Sequence, residues 1–332
     1  MDKLSRVTVL GGGAWGTALA QALGASGHAV TLWARNAALI EAINTQRVNS
    51  LYLPGVALSA NIRATASLEE AARADAVLMV VPAQHVGAIC TQLAHVYHAG
   101  TPLIMCAKGI ARGSGKLMAE VVADSLPAAE YAVLSGPSFA ADVAAGLPTA
   151  LTLASRNEPL GRMLAESLSS RSMRLYWSSD VRGVEFGGAV KNVLAIAAGI
   201  VSGRGLGASA HAAIVARGFA ELRRFAEALG GKPETLMGLS GLGDLILTCG
   251  SPQSRNMSLG RALGAGQTLE HILGARNAVT EGVYTASAVV ALAQRYGIEM
   301  PISETVHAII EECLIIDEAI DTLMSRPLKA ED

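Results

Sequence analysis

A glycine-rich turn near the start of the chain limits the fold more than any other feature. Gly11, Gly13 and Gly16 fit the pattern G-x-G-x-x-G, between an apolar run at residues 7–10 and a predicted helix at 17–24. In such a unit the first glycine makes a tight turn, the second lets a pyrophosphate approach the backbone, and the third allows close packing of helix and strand. The N-terminal end of the helix also favours negative charge. The sequence therefore predicts a Rossmann-type dinucleotide-binding domain.

Strand-like and helix-like segments alternate through the first half of the chain. The segment 76–81 is wholly apolar, as expected for a central parallel strand that is buried on both faces. This alternation predicts an α/β fold with a doubly wound, mainly parallel sheet in residues 1–180. The predicted strands are 7–10, 29–33, 76–81, 102–106, 131–134, 150–154 and 173–177.

After about residue 180 the apolar residues follow a helical periodicity, and glycine and proline separate the segments. We therefore expect an all-helical C-terminal domain in residues 181–332. The predicted helical segments are 184–201, 209–229, 254–265, 280–296 and 303–324.

The composition bears on the class of protein and on its partners. Of 332 residues, 51% are hydrophobic and 16% are charged, which is typical of a globular protein with a large core. A formal net charge of −2 gives no reason to expect nucleic acid as a partner. No apolar run reaches the roughly 18 residues that a membrane span needs, and no signal peptide is visible before the first strand. We therefore expect a cytoplasmic protein without a membrane span.

The four cysteines, Cys90, Cys106, Cys249 and Cys313, are widely scattered in the sequence. They form neither a C-x-x-C motif nor a zinc-binding spacing, and the seven histidines show no metal spacing either. We expect buried thiols in a reducing compartment and no metal site.

Lys191 is the only charged residue in the segment 186–201, where most other residues are small or aliphatic. An ammonium ion in such surroundings loses hydration unless a partner receives it, and burial readily lowers the pKa of a lysine. Asp244 is likewise the only charge between Glu234 and Arg255. Two isolated charges of opposite sign predict a pair that lines one cleft, with Lys191 as a proton donor or acceptor. A lysine that extends from a helix end to solvent is the alternative.

The end of the second predicted strand bears on the choice of dinucleotide. An NAD-specific site usually places Asp or Glu there, to bond the ribose 2′-hydroxyl. Here Arg35 follows the strand, and no carboxylate comes before Glu41. Because an arginine can pair with a 2′-phosphate, the sequence favours NADP over NAD as the cofactor. A solvated surface arginine is the alternative.

Ligands of an open α/β sheet bind at the carboxyl ends of its strands. Three segments follow predicted strands in this way, at residues 81–84, 106–109 and 135–140. Lys108 lies in the second of them, so we expect it to contact the substrate; a plain surface lysine is the alternative. Ser254, Arg255 and Asn256 begin a predicted helix whose N-terminal end suits a phosphate, with ordinary helix capping as the alternative.

Taken together, these motifs resemble those of bacterial NAD(P)-dependent sn-glycerol-3-phosphate dehydrogenase, a family that supplies glycerol 3-phosphate for phospholipid synthesis. The similarity runs from Val7 to about Thr322 without a large insertion. The combination is far more specific than the glycine-rich turn alone. The segments that carry it are residues 11–17, 108–109, 135–138, 190–192, 241–244, 254–256 and 279–282.

The resemblance implies the reversible reduction of dihydroxyacetone phosphate by NADPH or NADH, with Lys191 as the catalytic acid/base, and it suggests a homodimer. Ala14 stands where many relatives carry serine; its contact with the cofactor is expected through the backbone amide, so the departure affects only a hydroxyl bond. The residues expected to contact the substrate are Lys108, Gly136, Ser138, Lys191, Asp244, Ser254, Arg255 and Asn256. The residues expected to line the cofactor site are Gly11, Gly13, Ala14, Trp15, Gly16, Arg35, Tyr52, Lys108, Ala140, Arg255, Val279 and Glu281.

Two other functions fit part of the sequence. A related dehydrogenase with a helical second domain could act on a β-hydroxy acid or its CoA ester. It would need a carboxylate-recognising site or a catalytic His–Glu pair, and the sequence shows neither. A dinucleotide-sensing binding protein would need no proton donor, so the isolated Lys191 and Asp244 argue against it.

Overall fold

Eight strands form one sheet in the residues that the computed structural model describes, 4–274 and 281–327. The strands are β1 (Arg6–Leu10), β2 (Ala29–Trp33), β3 (Ile62–Thr65), β4 (Ala76–Met79), β5 (Pro102–Met105), β6 (Glu130–Ser135), β7 (Thr149–Ala154) and β8 (Met173–Ser178). Their order is β3-β2-β1-β4-β5-β6-β7-β8, and all neighbours are parallel except the antiparallel pair β6–β7. The predicted doubly wound, mainly parallel sheet is therefore confirmed. The chain changes winding direction between β1 and β4, which is where such sheets bind ligands.

Helices cover both faces of this sheet. Along β4, Ala76 and Leu78 belong to the core on one face, and Val77 and Met79 to the core on the other. The alternation explains why the whole segment is apolar, as predicted for a strand that is buried on both faces. The helices that accompany the strands are α1 (Ala14–Ala25), α2 (Ala37–Gln46), α3 (Leu68–Ala71), α4 (Val86–Leu93), α5 (Met118–Ser125), α6 (Ala140–Ala144) and α7 (Glu158–Leu168).

The described residues after β8 form helices, as predicted. They are α8 (Val181–Gly203), α9 (Gly207–Ala228), α10 (Pro233–Leu236), α11 (Asp244–Gly250), α12 (Arg255–Gly264), α13 (Leu269–Gly274), α14 (Glu281–Tyr296), α15 (Pro301–Glu311) and α16 (Ile316–Met324). The long α8 is the centre of this domain, because it packs against α9, α11, α12 and α14 and also against β6. Every residue from 183 to 200 is buried.

By length and composition, α8 is the one helix among the described residues that could cross a membrane. Its apolar stretch is completely buried by the rest of the protein, however. This burial is typical of the central helix of a folded core, and it explains the high apolar content of the segment around Lys191.

Two local predictions were wrong, and one strand was missed. The segment 303–324 is not one helix, because the chain breaks between α15 and α16 and Cys313 adopts a left-handed φ of 58°. Cys313 is also exposed, whereas the other three cysteines are buried as expected. The strand β3 was not predicted, since its four residues include the exposed Arg63 and carry a weak apolar pattern.

Candidate active site

The glycine-rich turn has the geometry that its sequence predicts. Gly11 adopts a positive φ of 128°, and its amide donates a hydrogen bond to the carbonyl of Trp33 at 3.0 Å. A side-chain carbon on Gly16 would lie 1.9 Å from the carbonyl oxygen of Gly11, so only glycine fits there. Gly13 precedes α1, and a side-chain carbon built on it would meet no atom within 4 Å. A pyrophosphate can therefore approach the backbone amides at the start of α1.

The buried side chain of Asn49 supports this turn, although nothing in the sequence pattern marks it. Its amide nitrogen donates to the carbonyl of Gly12 at 3.0 Å and to Thr17 Oγ1 at 2.7 Å. Its oxygen accepts a hydrogen bond from the backbone amide of Tyr52 at 3.1 Å. Asn49 thus fixes the turn and places Tyr52, a predicted cofactor residue, next to it.

The other described cofactor candidates from this domain lie near the same edge of the sheet or along its second strand. Ala14 and Trp15 form the first turn of α1, and Ala140 begins α6, which packs against α1. Arg35 lies just after β2 and is exposed. The next residue, Asn36, caps α2, and the first turn of α2 contains no acidic side chain. The segment that directly follows β2 therefore carries one cationic side chain, that of Arg35.

Asp244 joins two lysines that come from different parts of the fold. Its Oδ1 accepts a hydrogen bond from Lys191 Nζ at 2.5 Å, and its Oδ2 accepts one from Lys108 Nζ at 2.7 Å. Lys191 lies on α8, Lys108 follows β5, and Asp244 begins α11. The side chain of Lys191 is 8% exposed, that of Lys108 17% and that of Asp244 1%, so the ion pairs are largely shielded from water. The pairing that was inferred from two isolated charges is confirmed.

A short π-helix, Leu239–Gly243, places Asp244 in this position. It packs so closely on α8 that a side-chain carbon on Gly187 would lie 2.5 Å from the carbonyl oxygen of Ser240. Glycine at position 187 therefore allows the approach that brings Asp244 to Lys191, one helical turn further along α8. π-Helical turns are rare and are found frequently at functional sites.

Thr248 completes the surroundings of Lys191. Its Oγ1 accepts a hydrogen bond from Lys191 Nζ at 2.8 Å and donates one to the main-chain oxygen of Asp244 at 2.6 Å. Burial lowers the pKa of Lys191 to about 8; the nearby charge of Lys108 also lowers it, whereas Asp244 raises it. Burial opposes ionisation of Asp244, but the two lysines outweigh burial and lower its pKa. Thr248 follows Asp244 by four residues, a spacing that puts both on one helix face.

This arrangement leaves charge and hydrogen-bonding capacity for a ligand. Two ammonium groups share one carboxylate, so one positive charge is not compensated within the cluster. An ammonium has three N–H donors, and Lys191 uses two of them on Asp244 and Thr248. A pKa near 8 allows proton donation and acceptance close to neutral pH. The site therefore suits proton transfer to an oxygen that becomes negative during a reaction.

The N-terminal end of α12 lies beside this cluster. Ser254 caps the helix, because its side chain accepts a hydrogen bond from a backbone amide of the first turn. Asn256 donates to Asn192 Oδ1 at 2.9 Å and accepts from the amide of Gly282 at 3.0 Å, which joins α12 to α8 and α14. The amide nitrogen of Asn192, next to Lys191 in sequence, makes no hydrogen bond among the described residues. Asn192 therefore has a side-chain donor available for a ligand, and the predicted set of site residues did not include it.

Arg255 and Glu281 approach the same cluster from α12 and α14. Arg255 is exposed at the first position of α12, and Glu281 is partly buried at the first position of α14. Burial raises the pKa of Glu281, and the positive charges of Arg255, Lys108 and Lys191 oppose this rise. These four side chains therefore form one electrostatic environment. The predicted cofactor residue Val279 lies outside the described residues.

The loop after β6 faces Lys108. The carbonyl of Gly136 accepts a hydrogen bond from Lys108 Nζ at 3.5 Å and another from Ser138 Oγ at 3.3 Å. Both predicted substrate residues of this loop are thus brought to the lysine cluster.

A cleft of about 260 Å³ opens between the sheet and the helical domain. Lys108 and Glu281 line it, together with the turn at Pro82 and Ala83 that follows β4. Arg112 and Tyr284 also line the cleft. The Arg112 guanidinium lies 4.9 Å from the ring centroid of Tyr284, which is a contact between the two domains. No cluster of His, Cys, Asp or Glu suited to a metal occurs within residues 4–274 and 281–327.

Comparison with known proteins gives a consistent match over nearly the whole chain. Residues 6–160 match the model for the NAD-dependent glycerol-3-phosphate dehydrogenase N-terminus, and residues 180–321 match the model for its C-terminus. Glycerol-3-phosphate dehydrogenase (NAD(P)+) of Parvibaculum lavamentivorans is 56% identical, and that of Caulobacter vibrioides 54%, each over 98% of both chains. The crystal structure of glycerol-3-phosphate dehydrogenase from Coxiella burnetii superimposes with a TM-score of 0.93 at 40% identity, over 97% of this chain and 99% of that one.

Proposed function

Because the chain belongs to the NAD-dependent glycerol-3-phosphate dehydrogenase family, we propose that it catalyses the reversible reduction of dihydroxyacetone phosphate to sn-glycerol 3-phosphate with NADPH or NADH. The observation that carries this proposal for the chain itself is the Lys191–Asp244–Lys108 cluster. It provides a proton donor, a group that holds the donor, and a second cation for the reacting oxygen. It also lies beside a helix N-terminus that suits a phosphate.

The residues present fit a dinucleotide. The turn at Gly11 and Gly16 has room for no side chain, and the backbone at Gly13 is open to a ligand. When bound, the nicotinamide supplies the hydride for the carbonyl carbon of the substrate. The cleft lined by Lys108 and Glu281 lies at the carboxyl ends of β4 and β5, where an open α/β sheet receives its ligand.

Lys191 is the proposed proton donor for reduction and the proton acceptor for oxidation. As an ammonium, it donates a proton to the carbonyl oxygen as negative charge develops there. Asp244 and Thr248 hold two of its N–H groups, which leaves the third for the substrate. Lys108 stabilises the same oxygen or the adjacent hydroxyl through a charge-assisted hydrogen bond.

The phosphate is proposed to bind between α12 and α8. Arg255 supplies a positive charge, and the amide nitrogen of Asn192 supplies a donor. Asn256 uses both ends of its side-chain amide within the protein, so it positions Asn192 and Gly282 in addition to any contact with the ligand. Binding energy from this end of the substrate would align the carbonyl with Lys191. Ser138 and Ser254 are further proposed contacts, through the loop after β6 and the cap of α12.

The cofactor lining is proposed to include Ala14, Trp15, Tyr52, Ala140, Arg255 and Glu281. Arg35 is the proposed reader of a 2′-phosphate, with NADPH preferred over NADH. The supporting observations are its exposure just after β2 and the lack of an acidic residue in the first turn of α2. We also propose that the two domains divide between residues 180 and 181, where α8 begins.

A turnover assay that follows the absorbance of the reduced nicotinamide tests the function. Dihydroxyacetone phosphate should be reduced rapidly, whereas a β-keto acid or its CoA ester should not be. Preference for the keto acid would favour the related dehydrogenases, and cofactor binding without turnover of either compound would favour a dinucleotide sensor. The Lys191→Met variant in the same assay separates enzyme activity from background reduction.

We further propose a cytoplasmic homodimer that supplies glycerol 3-phosphate to phospholipid synthesis. The free, unbridged cysteines are consistent with a reducing compartment. Leu206 and Ile246 are 43% and 59% exposed near the packed helices α9 and α11, and such apolar surface favours self-association. Light scattering on the purified protein tests the oligomeric state. A monomer at assay concentration would contradict the proposed dimer.

A further inference from the structure

A second, smaller cavity lies beside the stem of Lys108. Its volume of about 10 Å³ is roughly the space that one water molecule requires. Lys108, Ser135, Glu185 and Gly188 contribute to its lining, so the cavity contacts β6, the loop after β5 and the N-terminal half of α8. It lies directly at the junction between the sheet and the helical domain.

Two polar side-chain atoms on the cavity-lining residues are buried without a hydrogen bond among the described residues. They are Ser135 Oγ and Glu185 Oε2, and the two residues are 3% and 7% exposed. The other oxygen of Glu185 accepts hydrogen bonds from the amide of Ala119 at 2.9 Å and from the hydroxyl of Tyr131 at 2.7 Å. One half of the carboxylate is therefore fixed by protein groups, while the other half is left for a ligand. Buried polar groups of this kind are normally satisfied, by protein or by ordered water.

The cavity is also close to the parts of the protein that hold Lys108. A side-chain carbon on Gly188 would lie 3.0 Å from Ser135 Oγ and 3.3 Å from Lys108 Cγ, so these three residues pack together. Ser135 directly precedes Gly136, whose carbonyl accepts a hydrogen bond from Lys108 Nζ. Any shift of Ser135 would therefore move both the stem of Lys108 and one acceptor of its ammonium.

We propose that this cavity binds one water molecule that bridges Glu185 Oε2 and Ser135 Oγ, and that Glu185 and Ser135 are thereby positioning residues for Lys108. Burial raises the pKa of Glu185 to about 7. In its ionised form the carboxylate accepts a hydrogen bond from the water, and the serine hydroxyl donates one to the same water. The bridge fixes the start of the 135–138 loop against α8. The positioning part rests on the proposed function of Lys108 in binding dihydroxyacetone phosphate, whereas the water site does not.

A high-resolution crystal structure of the full-length wild-type protein tests the water site. We expect density for one water within hydrogen-bond distance of both atoms, and loss or displacement of this water in Ser135→Ala. An empty cavity in the wild type would overturn the proposal whatever the enzyme does. Failure to turn over dihydroxyacetone phosphate, with the water present, would instead overturn the proposed function and leave the site intact.

Steady-state kinetics test the positioning role. Ser135→Ala should raise KM for dihydroxyacetone phosphate by roughly two- to tenfold, as expected for one lost hydrogen bond. It should also lower kcat modestly, because Lys108 stabilises the reacting oxygen, whereas the KM for NADPH should stay within about twofold of the wild type. Glu185→Ala should likewise raise KM for dihydroxyacetone phosphate and leave the KM for NADPH nearly unchanged. Glu185→Gln should restore KM, because its carbonyl oxygen keeps the bonds to Ala119 and Tyr131 and its amide can bond the water.

Glu221 offers a matched control. It is another buried carboxylate, 2% exposed, but its oxygens are occupied by the amides of Ile302 and Ser303 and by the Ser303 hydroxyl. Glu221→Ala should lower the melting temperature without changing KM for dihydroxyacetone phosphate. An unchanged KM in Ser135→Ala would contradict the positioning role. An equal KM increase in Glu221→Ala would contradict it too, because the effect would then be a general consequence of lost stability.

Discussion

Lys108 and Lys191 bind the two oxygens of one carboxylate, that of Asp244, although the first lysine follows a strand of the sheet and the second lies on the central helix of the other domain. The cluster therefore forms only when the two domains are packed together. A single buried anion pairs with two cations, so one positive charge is not compensated within the cluster. This geometry links the packing of the domains to the chemistry of the site.

Replacing Lys191 by methionine should lower kcat by about 10²–10⁴, because the variant keeps the length of the side chain but cannot transfer a proton. The KM for NADPH should change little. Lys116→Met is a suitable control, since the Lys116 side chain forms an exposed ion pair with Asp124. Steady-state kinetics of the two variants measure kcat and KM. A Lys191→Met enzyme with half the normal kcat would show that this residue is not the proton donor.

The pH dependence should differ in sign between the two reaction directions. Reduction needs Lys191 as an ammonium, and burial lowers its pKa to about 8. The kcat/KM for dihydroxyacetone phosphate should therefore fall as the pH rises through about 8. Oxidation of glycerol 3-phosphate needs the neutral amine and should rise over the same range. Profiles that are flat through this range in both directions would contradict the assignment.

Asp244→Asn should move the loss of reductase activity to lower pH. The carboxylate raises the pKa of Lys191 against the effect of burial, so its removal lets that pKa fall further. The variant should also be less stable, because two ammonium groups lose their shared anion. A pH profile of kcat/KM and a thermal melt measure the two effects. An unchanged profile would show that Asp244 does not control the charge of Lys191.

Arg255→Ala should raise KM for dihydroxyacetone phosphate much more than it affects unphosphorylated dihydroxyacetone. The loss of one charge-assisted phosphate contact costs about 1.5–3 kcal/mol, which is roughly ten- to a hundredfold in affinity. Arg261→Ala, in the last turn of the same helix, is the control. Equal losses on both compounds would show that Arg255 does not bind the phosphate.

Arg35→Asp should invert the preference between NADPH and NADH, because it adds repulsion of the 2′-phosphate to a lost attraction. The wild-type preference for NADPH should be modest and should shrink as salt rises, since Arg35 is exposed. Arg174→Asp is the control, because it makes the same change in net charge on the distant edge strand β8. The measurement is the ratio of kcat/KM values at low and high salt. A wild-type ratio well below one, unchanged in Arg35→Asp, would reject this role.

Local patterns were sufficient for most of the fold. Seven of the eight described strands were predicted, most of them from apolar runs that reflect burial between two layers of helices. The strand β3 was missed because four residues with an exposed Arg63 carry too little periodicity. The break between α15 and α16 was missed because helical spacing continues across it, while the left-handed Cys313 ends the first helix.

The sequence by itself determined the dinucleotide-binding turn and the two isolated charges, Lys191 and Asp244, because both signals are local. The turn requires glycine at these positions, and a charged residue that has no charged neighbour can be recognised directly in the sequence. Only the tertiary structure decided how those charges are used. Lys108 and Asp244 are 136 positions apart, and Asn49 reaches the turn at Gly12 from 37 positions away. Contacts between residues so far apart in sequence form when secondary-structure elements pack together. Each polar group that is buried by this packing then needs a hydrogen-bond partner from a neighbouring element.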